Sequence, residues 1–360
     1  MTTHTTGPRA RASYAELSLY APDRRPCAVD LSDNTNLWGV PPAAERAMRE
    51  ASGDAMARYP ELYAQSLKQA LGEYTGVDAA SIVTGCGSDD VLDSAIRAFA
   101  EPGDRIALPD PTFPMIPVFA RMNGLTPVPV ALTSAYDADV DALLATDPAI
   151  VYLCSPNNPT GTTLGREAID AIVARANGLV IIDEAYAEFA GCSAVDLAMR
   201  SDRVLVTRTM SKAFGLAGLR IGYAMGAPEV VAAVEKSRGP YKVSAIAARA
   251  AIAALGDGLP WVREQVDAVV VLRERVAGAL RDVGLEPLPS RANFVLAPMA
   301  NAAKVALALR ARGVAIRPFE DLAAPAGTPL AATHGSAIRI TIGPWPLLER
   351  ALGALREVLS

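Results

Sequence analysis

Through the middle of the chain, short runs of apolar and β-branched residues alternate with stretches in which apolar residues recur every three or four positions. The short runs predict strands at Ile82–Thr84, Arg105–Leu108, Thr126–Val130, Ile150–Cys154, Leu179–Asp183, Val204–Arg208 and Leu219–Met225. Between them the helical spacing predicts Leu62–Tyr74, Ser88–Ala100 and Arg166–Ala176. Strands that alternate with helices in this way predict an α/β layer built on a parallel sheet. From about Val243 the pattern changes to two helices, Ser244–Ala254 and Trp261–Val283. They are followed by strands at Asn293–Leu296, Val314–Arg317 and Ala337–Ile342 and a helical end, which reads as a smaller α+β unit. The expected division is an N-terminal arm at 1–42, a large domain at 43–242 and a small domain at 243–360, with Pro41-Pro42 opening the first long helix.

Composition narrows the function more than the fold. The 360 residues suit about two domains, and 51% hydrophobic with 20% charged residues is the balance of a folded globular chain. Basic and acidic residues number 34 and 39 and are mixed along the chain, so no stripe for nucleic acid or polybasic membrane patch is formed. The expected partner is a small molecule or another subunit. Cys27, Cys86, Cys154 and Cys192 are widely spaced and make no metal or dithiol motif, and His4 and His334 are the only histidines. No metal site is expected. The first residues lack an apolar core, and no uncharged apolar run approaches the roughly 18 to 20 residues of a membrane helix; a soluble, cytoplasmic protein is expected.

Chemistry is suggested by polar groups where the predicted strands end, the place at which open parallel sheets hold ligands. Thr84-Gly85-Cys86-Gly87-Ser88-Asp89 runs from a strand into a helix, which makes either a plain turn or a cradle for phosphate at a positive helix end. Ser155-Pro156-Asn157-Asn158-Pro159-Thr160-Gly161 could be a simple loop or could turn an amide toward a ligand. Asp183 ends a buried strand and needs a partner, since an unpaired buried charge is costly. Lys212 follows another strand in a small, apolar setting with Arg220 eight positions on; desolvation there would make its amine nucleophilic toward an aldehyde.

Together these segments, with Asn34-Thr35-Asn36, Arg58-Tyr59-Pro60-Glu61, Pro111-Thr112-Phe113, Asp183-Glu184-Ala185-Tyr186, Ser211-Lys212-Ala213-Phe214-Gly215-Leu216-Ala217-Gly218-Leu219-Arg220 and Arg339-Ile340-Thr341-Ile342-Gly343, resemble the class I/II aminotransferases of fold type I. Within these the chain is most similar to the histidinol-phosphate aminotransferase branch, from about Tyr20 to its end. The resemblance implies a mixed, mostly parallel sheet flanked by helices with a smaller α+β domain, and pyridoxal 5'-phosphate (PLP) as cofactor. It implies that Lys212 forms the Schiff base and moves the substrate proton, and that Asp183 pairs with the pyridinium nitrogen. Tyr186 and Asn158 would bond the ring hydroxyl, and Phe113 would stack on the ring. Ser88, Asp89, Ser211, Arg220 and Thr209 would hold the phosphate, joined by Tyr59 of a neighbouring subunit in a homodimer. Arg339, Asn36 and Tyr20 would receive the substrate.

The implied activity is amino transfer between L-histidinol phosphate and 2-oxoglutarate through pyridoxamine phosphate. The alternatives are an aromatic or other amino-acid aminotransferase, a decarboxylase of threonine-phosphate type, or a regulatory protein that kept the fold. Departures from the branch are Thr35, Leu37, Trp38, Cys86 and Lys242, of which all but Cys86 fall in segments the family turns toward substrate.

Overall fold

The computed structural model describes residues 8, 10–15, 17–19, 21, 23 and 25–360. Tyr20 lies outside the described residues. The strands are β1 (Val29–Asp30), β2 (Ile82–Cys86), β3 (Arg105–Asp110), β4 (Thr126–Ala131), β5 (Ile150–Cys154), β6 (Leu179–Asp183), β7 (Val204–Thr209), β8 (Ile221–Gly226), β9 (Phe294–Pro298), β10 (Val314–Ala315), β11 (Arg317–Phe319) and β12 (Ala337–Thr341). Seven of them form one sheet in the order β2-β8-β7-β6-β5-β3-β4. All neighbours in it run parallel except β8, which is antiparallel to both β2 and β7.

The sequence explains the order of burial across this sheet. β5 (IVYLC) and β6 (LVIID) are apolar almost throughout and buried at every position, as central parallel strands covered on both faces must be. β4 carries Pro127 and Pro129, which cannot donate to a second neighbour, and it lies at the edge. Successive side chains point to opposite faces of a strand. Ile150, Tyr152, Ile181 and Leu205 therefore pack in one apolar layer with the helices Gly87–Phe99, Met115–Met122 and Pro228–Lys236, while Val151, Leu153, Val180, Ile182 and Val206 pack in the other.

Beyond Val243 the long helix Leu259–Arg281 leads to a three-stranded antiparallel sheet, β11-β12-β9. β1, from the start of the chain, pairs parallel with β10. The last helix is Trp345–Leu359.

Three predicted elements differ in detail, each for a local reason. The helix expected from Leu62 begins at Gln65, because Tyr63 (φ 51°) and Ala64 (φ 50°) are left-handed and break the periodicity. The strand expected from Leu219 begins at Ile221, after a 3-10 turn at Ala217–Leu219 and a left-handed Arg220 (φ 53°). The run expected at Val314–Arg317 divides between two sheets, Val314–Ala315 pairing with β1 and Arg317–Phe319 with β12.

Candidate active site

The ends of β2, β5, β6 and β7 bring the four polar segments together. Asp183 closes β6 opposite Cys154 of β5 and Thr207 of β7, and is 3% exposed. Its carboxylate accepts bonds from the Tyr152 hydroxyl at 2.8 Å, the Thr207 hydroxyl at 3.2 Å and the Ala185 N–H at 3.2 Å. Burial nevertheless pushes its carboxyl up to about 6 against those donors. Burial also holds the Tyr152 phenol well above its ordinary range, so Tyr152 remains a proton donor. Removing that hydroxyl has a clear expected result: Tyr152→Phe leaves one carboxylate oxygen without its donor. It should destabilise the chain by about 1–2 kcal/mol at pH 8 and by less at pH 5, as thermal melts would show. The adjacent Glu184 is employed differently: Arg208 donates to it at 2.9 Å, and Ser193 and the Ala194 N–H complete its partners.

Lys212 lies after β7 in the apolar setting expected for it, beside the fully buried Phe214 and Met210. Its amine makes a long contact, 3.5 Å, with the Asp33 carbonyl and stands 5.8 Å from the centre of the Tyr186 ring. Desolvation first, and then the charges of Arg339 and Arg220 against those of Asp89 and Asp183, bring the amine down to about 8. About a tenth of the amine is then neutral at pH 7, far more than in an ordinary lysine, and the neutral form is the one that attacks an aldehyde.

At the end of β2 the helix Gly87–Phe99 starts without a side-chain cap, which leaves N–H groups at the positive end of the helix for a ligand to meet. Gly87 has φ 82°, and a Cβ there would collide with the Arg220 guanidinium. Gly222 is equally confined, since a Cβ would overlap the backbone at Ser88. Arg220 reaches across this loop to the Ser211 hydroxyl at 3.5 Å and to Asp89 at 3.2 Å. Burial raises the Asp89 carboxyl, with Arg220 and Lys212 opposing. Asp89, Ser211 and Arg220 thus meet at one corner, beside Ser88 at the helix start. The Thr209 hydroxyl donates to the Ile221 carbonyl and accepts the Ser211 N–H, holding the loop that carries Ser211.

The two asparagines of the turn after β5 separate in function. Asn157 is 1% exposed and locked by Thr112, Thr160 and the Pro111 carbonyl. Asn158 accepts from Arg339 at 2.5 Å. Arg339, on β12, also donates to the Ser32 carbonyl at 2.9 Å and stands over the rings of Phe294 and Phe319. Asn36 is held at both ends of its amide, accepting the Trp38 N–H and donating to the Ala213 carbonyl, so it anchors the early chain beside Lys212. Phe113 packs at the rim of the apolar layer that contains Tyr152. Tyr59 is 83% exposed and stacks on Tyr241 at 4.8 Å. Lys242 meets Asp90 of the helix start at 2.8 Å.

Tyr152, Thr207 and Asn34 belong to the site but were not singled out as site residues in the sequence. Asn34 (φ 55°) donates to the Tyr186 hydroxyl at 3.2 Å and exchanges bonds with Thr341 of β12, while Asn293 donates to its carbonyl. The hydroxyls in the apolar runs of β5 and β7 were the available signal for the first two. For Asn34 only a pairing across more than 150 positions reveals its use.

The comparisons with known proteins agree with this geometry. The model of the family "Aminotransferase class I and II" matches residues 27–355. A histidinol-phosphate aminotransferase of Thermoanaerobacter pseudethanolicus is 35% identical over 306 residues, 84% of each chain. An aromatic amino acid aminotransferase of Corynebacterium glutamicum is 35% identical over 349 residues, 94% of this chain and 99% of that one. Among solved structures, histidinol-phosphate aminotransferase from Sinorhizobium meliloti in complex with pyridoxal-5'-phosphate superposes with a TM-score of 0.86 at 28% identity, over 99% of this chain and 98% of that one. A desolvated lysine, a buried aspartate and an uncapped helix start at the ends of one mostly parallel sheet, together with a family match over nearly the whole length, place this chain among the class I and II aminotransferases.

Proposed function

We propose that the chain is a PLP-dependent aminotransferase whose amino donor is L-histidinol phosphate and whose acceptor is 2-oxoglutarate. Its own residues fit PLP. A phosphate suits the uncapped helix start beside Ser88, Ser211 and Arg220, where the left-handed Gly87 carries no side chain between the helix end and the guanidinium. A protonated pyridine nitrogen would supply the positive partner that the buried Asp183 lacks among its three neutral donors. Lys212 would hold the aldehyde carbon covalently. When bound, PLP supplies an electron sink that makes the proton on the substrate's α-carbon removable.

The remaining chemistry belongs to the chain. Lys212, with its amine near 8, is suited to take that proton and return it. Tyr186, buried and pushed up to about 12, keeps its phenol protonated and is fixed in place by Asn34. Asp183 would pair with the ring nitrogen and keep it protonated.

The observation that carries the choice of donor is the arginine pair on the small sheet. Arg317 and Arg339 are register partners on β11 and β12, and both guanidinium groups lie within 6.0 Å of the Phe319 ring. Two such forks beside one aromatic ring suit a phosphate ester better than a single carboxylate. A second reading, an aromatic amino acid as donor, draws support from Phe294, Phe319 and the half-buried Trp38 and from the Corynebacterium relative.

One titration separates them. Adding L-histidinol phosphate to the PLP-loaded protein should abolish the visible absorption of the lysine-bound cofactor, and 2-oxoglutarate should restore it. If only phenylalanine or tyrosine does so, the second reading stands.

The working form we infer is a cytoplasmic homodimer. Tyr59, Met56 and Leu62 are exposed apolar side chains on one short stretch, the kind of surface a second copy would cover. Among the described residues no single helix is long and apolar enough to cross a membrane.

A further inference from the structure

Asp90 lies in the first turn of the helix that begins the phosphate corner, one position beyond Asp89. Two carboxylates at that helix end would repel a phosphate dianion, cancelling part of the attraction of the N–H groups. Arg220 pairs with Asp89. Asp90 has a different set of partners. Its carboxylate accepts the Cys86 N–H at 3.0 Å, which fixes the middle of the loop. Lys242 meets its other oxygen at 2.8 Å, and Arg238 stands at 3.6 Å. Arg238 also donates to the Thr84 carbonyl, immediately before the loop.

Both cations come from the segment that joins the helices Pro228–Lys236 and Ala245–Leu255, so the loop is gripped from a distant part of the chain. Gly85 fits under this arrangement because a Cβ there would lie only 2.8 Å from the Asp90 carboxylate. Arg238 is nearly inaccessible, with its side chain 1% exposed, and serves the backbone as well as Asp90. Lys242, 34% exposed, adds a second positive charge to a carboxylate that already has one. Two cations against one anion leave this end of the site with a surplus positive charge.

We propose that Lys242 is a positioning residue for the phosphate end of the cofactor, acting through Asp90: it holds that carboxylate on the Cys86 N–H and cancels its repulsion of the phosphate. The inference rests on the assignment of PLP to this site. It gives a use to a lysine in a segment where the resemblance implied substrate contact.

The test is to strip the purified full-length protein of cofactor and to titrate it with PLP and, separately, with pyridoxal, which carries the same ring and aldehyde but no phosphate. Binding is read from the quenching of intrinsic fluorescence. Lys242→Ala should weaken PLP by about tenfold and change pyridoxal by less than about twofold. Lys242→Arg, which keeps the charge, should restore PLP to within about threefold of wild type. If Lys242→Ala does not fold, as judged by its thermal melt, Lys242→Gln carries the same expectation. Unchanged PLP affinity overturns the proposal. Equal weakening of both ligands also overturns it, since a device aimed at phosphate cannot act on a ligand without one. A wild-type chain that binds neither ligand overturns the cofactor assignment and this inference with it, whereas failure confined to the Lys242 variants leaves that assignment intact.

Discussion

Replacing Lys212 by alanine should lower amino transfer by about 10⁴-fold or more while PLP still binds. The amine stands by Tyr186 and desolvation has brought it near neutral pH, to about 8, so its loss removes the group suited to move the α-proton. The phosphate corner at Ser88, Ser211 and Arg220 does not depend on it. Cofactor should therefore be retained reversibly and dialyse out of the variant, but not out of the wild type after borohydride reduction. Retention of more than about a tenth of the activity would remove Lys212 from the proton transfer.

A stability effect of the opposite sign accompanies the loss. The folded-state amine, at about 8, lies below its ordinary 10.5, so between those values the unfolded chain binds the extra proton. The contribution of Lys212 to stability is accordingly poorest at neutral pH and rises as pH rises through that window. Lys212→Met, which keeps the bulk without the charge, should make the cofactor-free protein more stable by about 1–2 kcal/mol at pH 7. The gain should disappear above pH 10.5, as melts at the two pH values would show.

Asp183→Asn should also combine lost activity with gained stability, on the other side of neutrality. With an amide there, nothing keeps the ring nitrogen of the cofactor charged, and amino transfer should fall by about 10³-fold or more. In the cofactor-free chain the sign is different. The folded-state carboxyl, at about 6, lies above its ordinary 3.8, so the native state holds a proton that the unfolded chain has already released. Its contribution is present at acid pH and is lost as pH rises through about 6. At pH 8 the buried charge costs about 3 kcal/mol at most. Asp183→Asn should raise the melting temperature of the cofactor-free chain at pH 8 and leave it nearly unchanged at pH 4. A lower melting temperature at pH 8 would mean that the three donors to Asp183 outweigh its desolvation. In the PLP-loaded protein the advantage of the amide should reverse, because the charged partner is then present.

Local chemistry made much of the fold readable along the chain. Strands β5 and β6 are almost wholly apolar because both faces of a central parallel strand are covered. The glycines of the phosphate corner and the polar residues that end or follow β2, β5, β6 and β7 were visible as a pattern, because loops at strand ends must satisfy their own backbone groups. The sites of Lys212, Asp183, Ser88 and Arg220 could be named on that basis together with the family motifs.

What sequence patterning could not supply is direction and partnership across the chain. The antiparallel course of β8 leaves no mark on its apolar run, because burial is the same for either direction. The left-handed turns at Tyr63, Ala64 and Arg220 contradict the local preference of those residues and are imposed by their surroundings. The Thr209 hydroxyl meets backbone at Ile221 and Ser211, pairings that no local pattern displays. Tyr152 became a partner of Asp183, Asn34 of Tyr186 and Lys242 of Asp90 through separations of 31, 152 and 152 residues. Residue types and strand ends, set by local burial and turn chemistry, were thus determined by the sequence alone. Which hydroxyl, amide or charge meets which was decided only when the sheet brought distant segments within hydrogen-bond range.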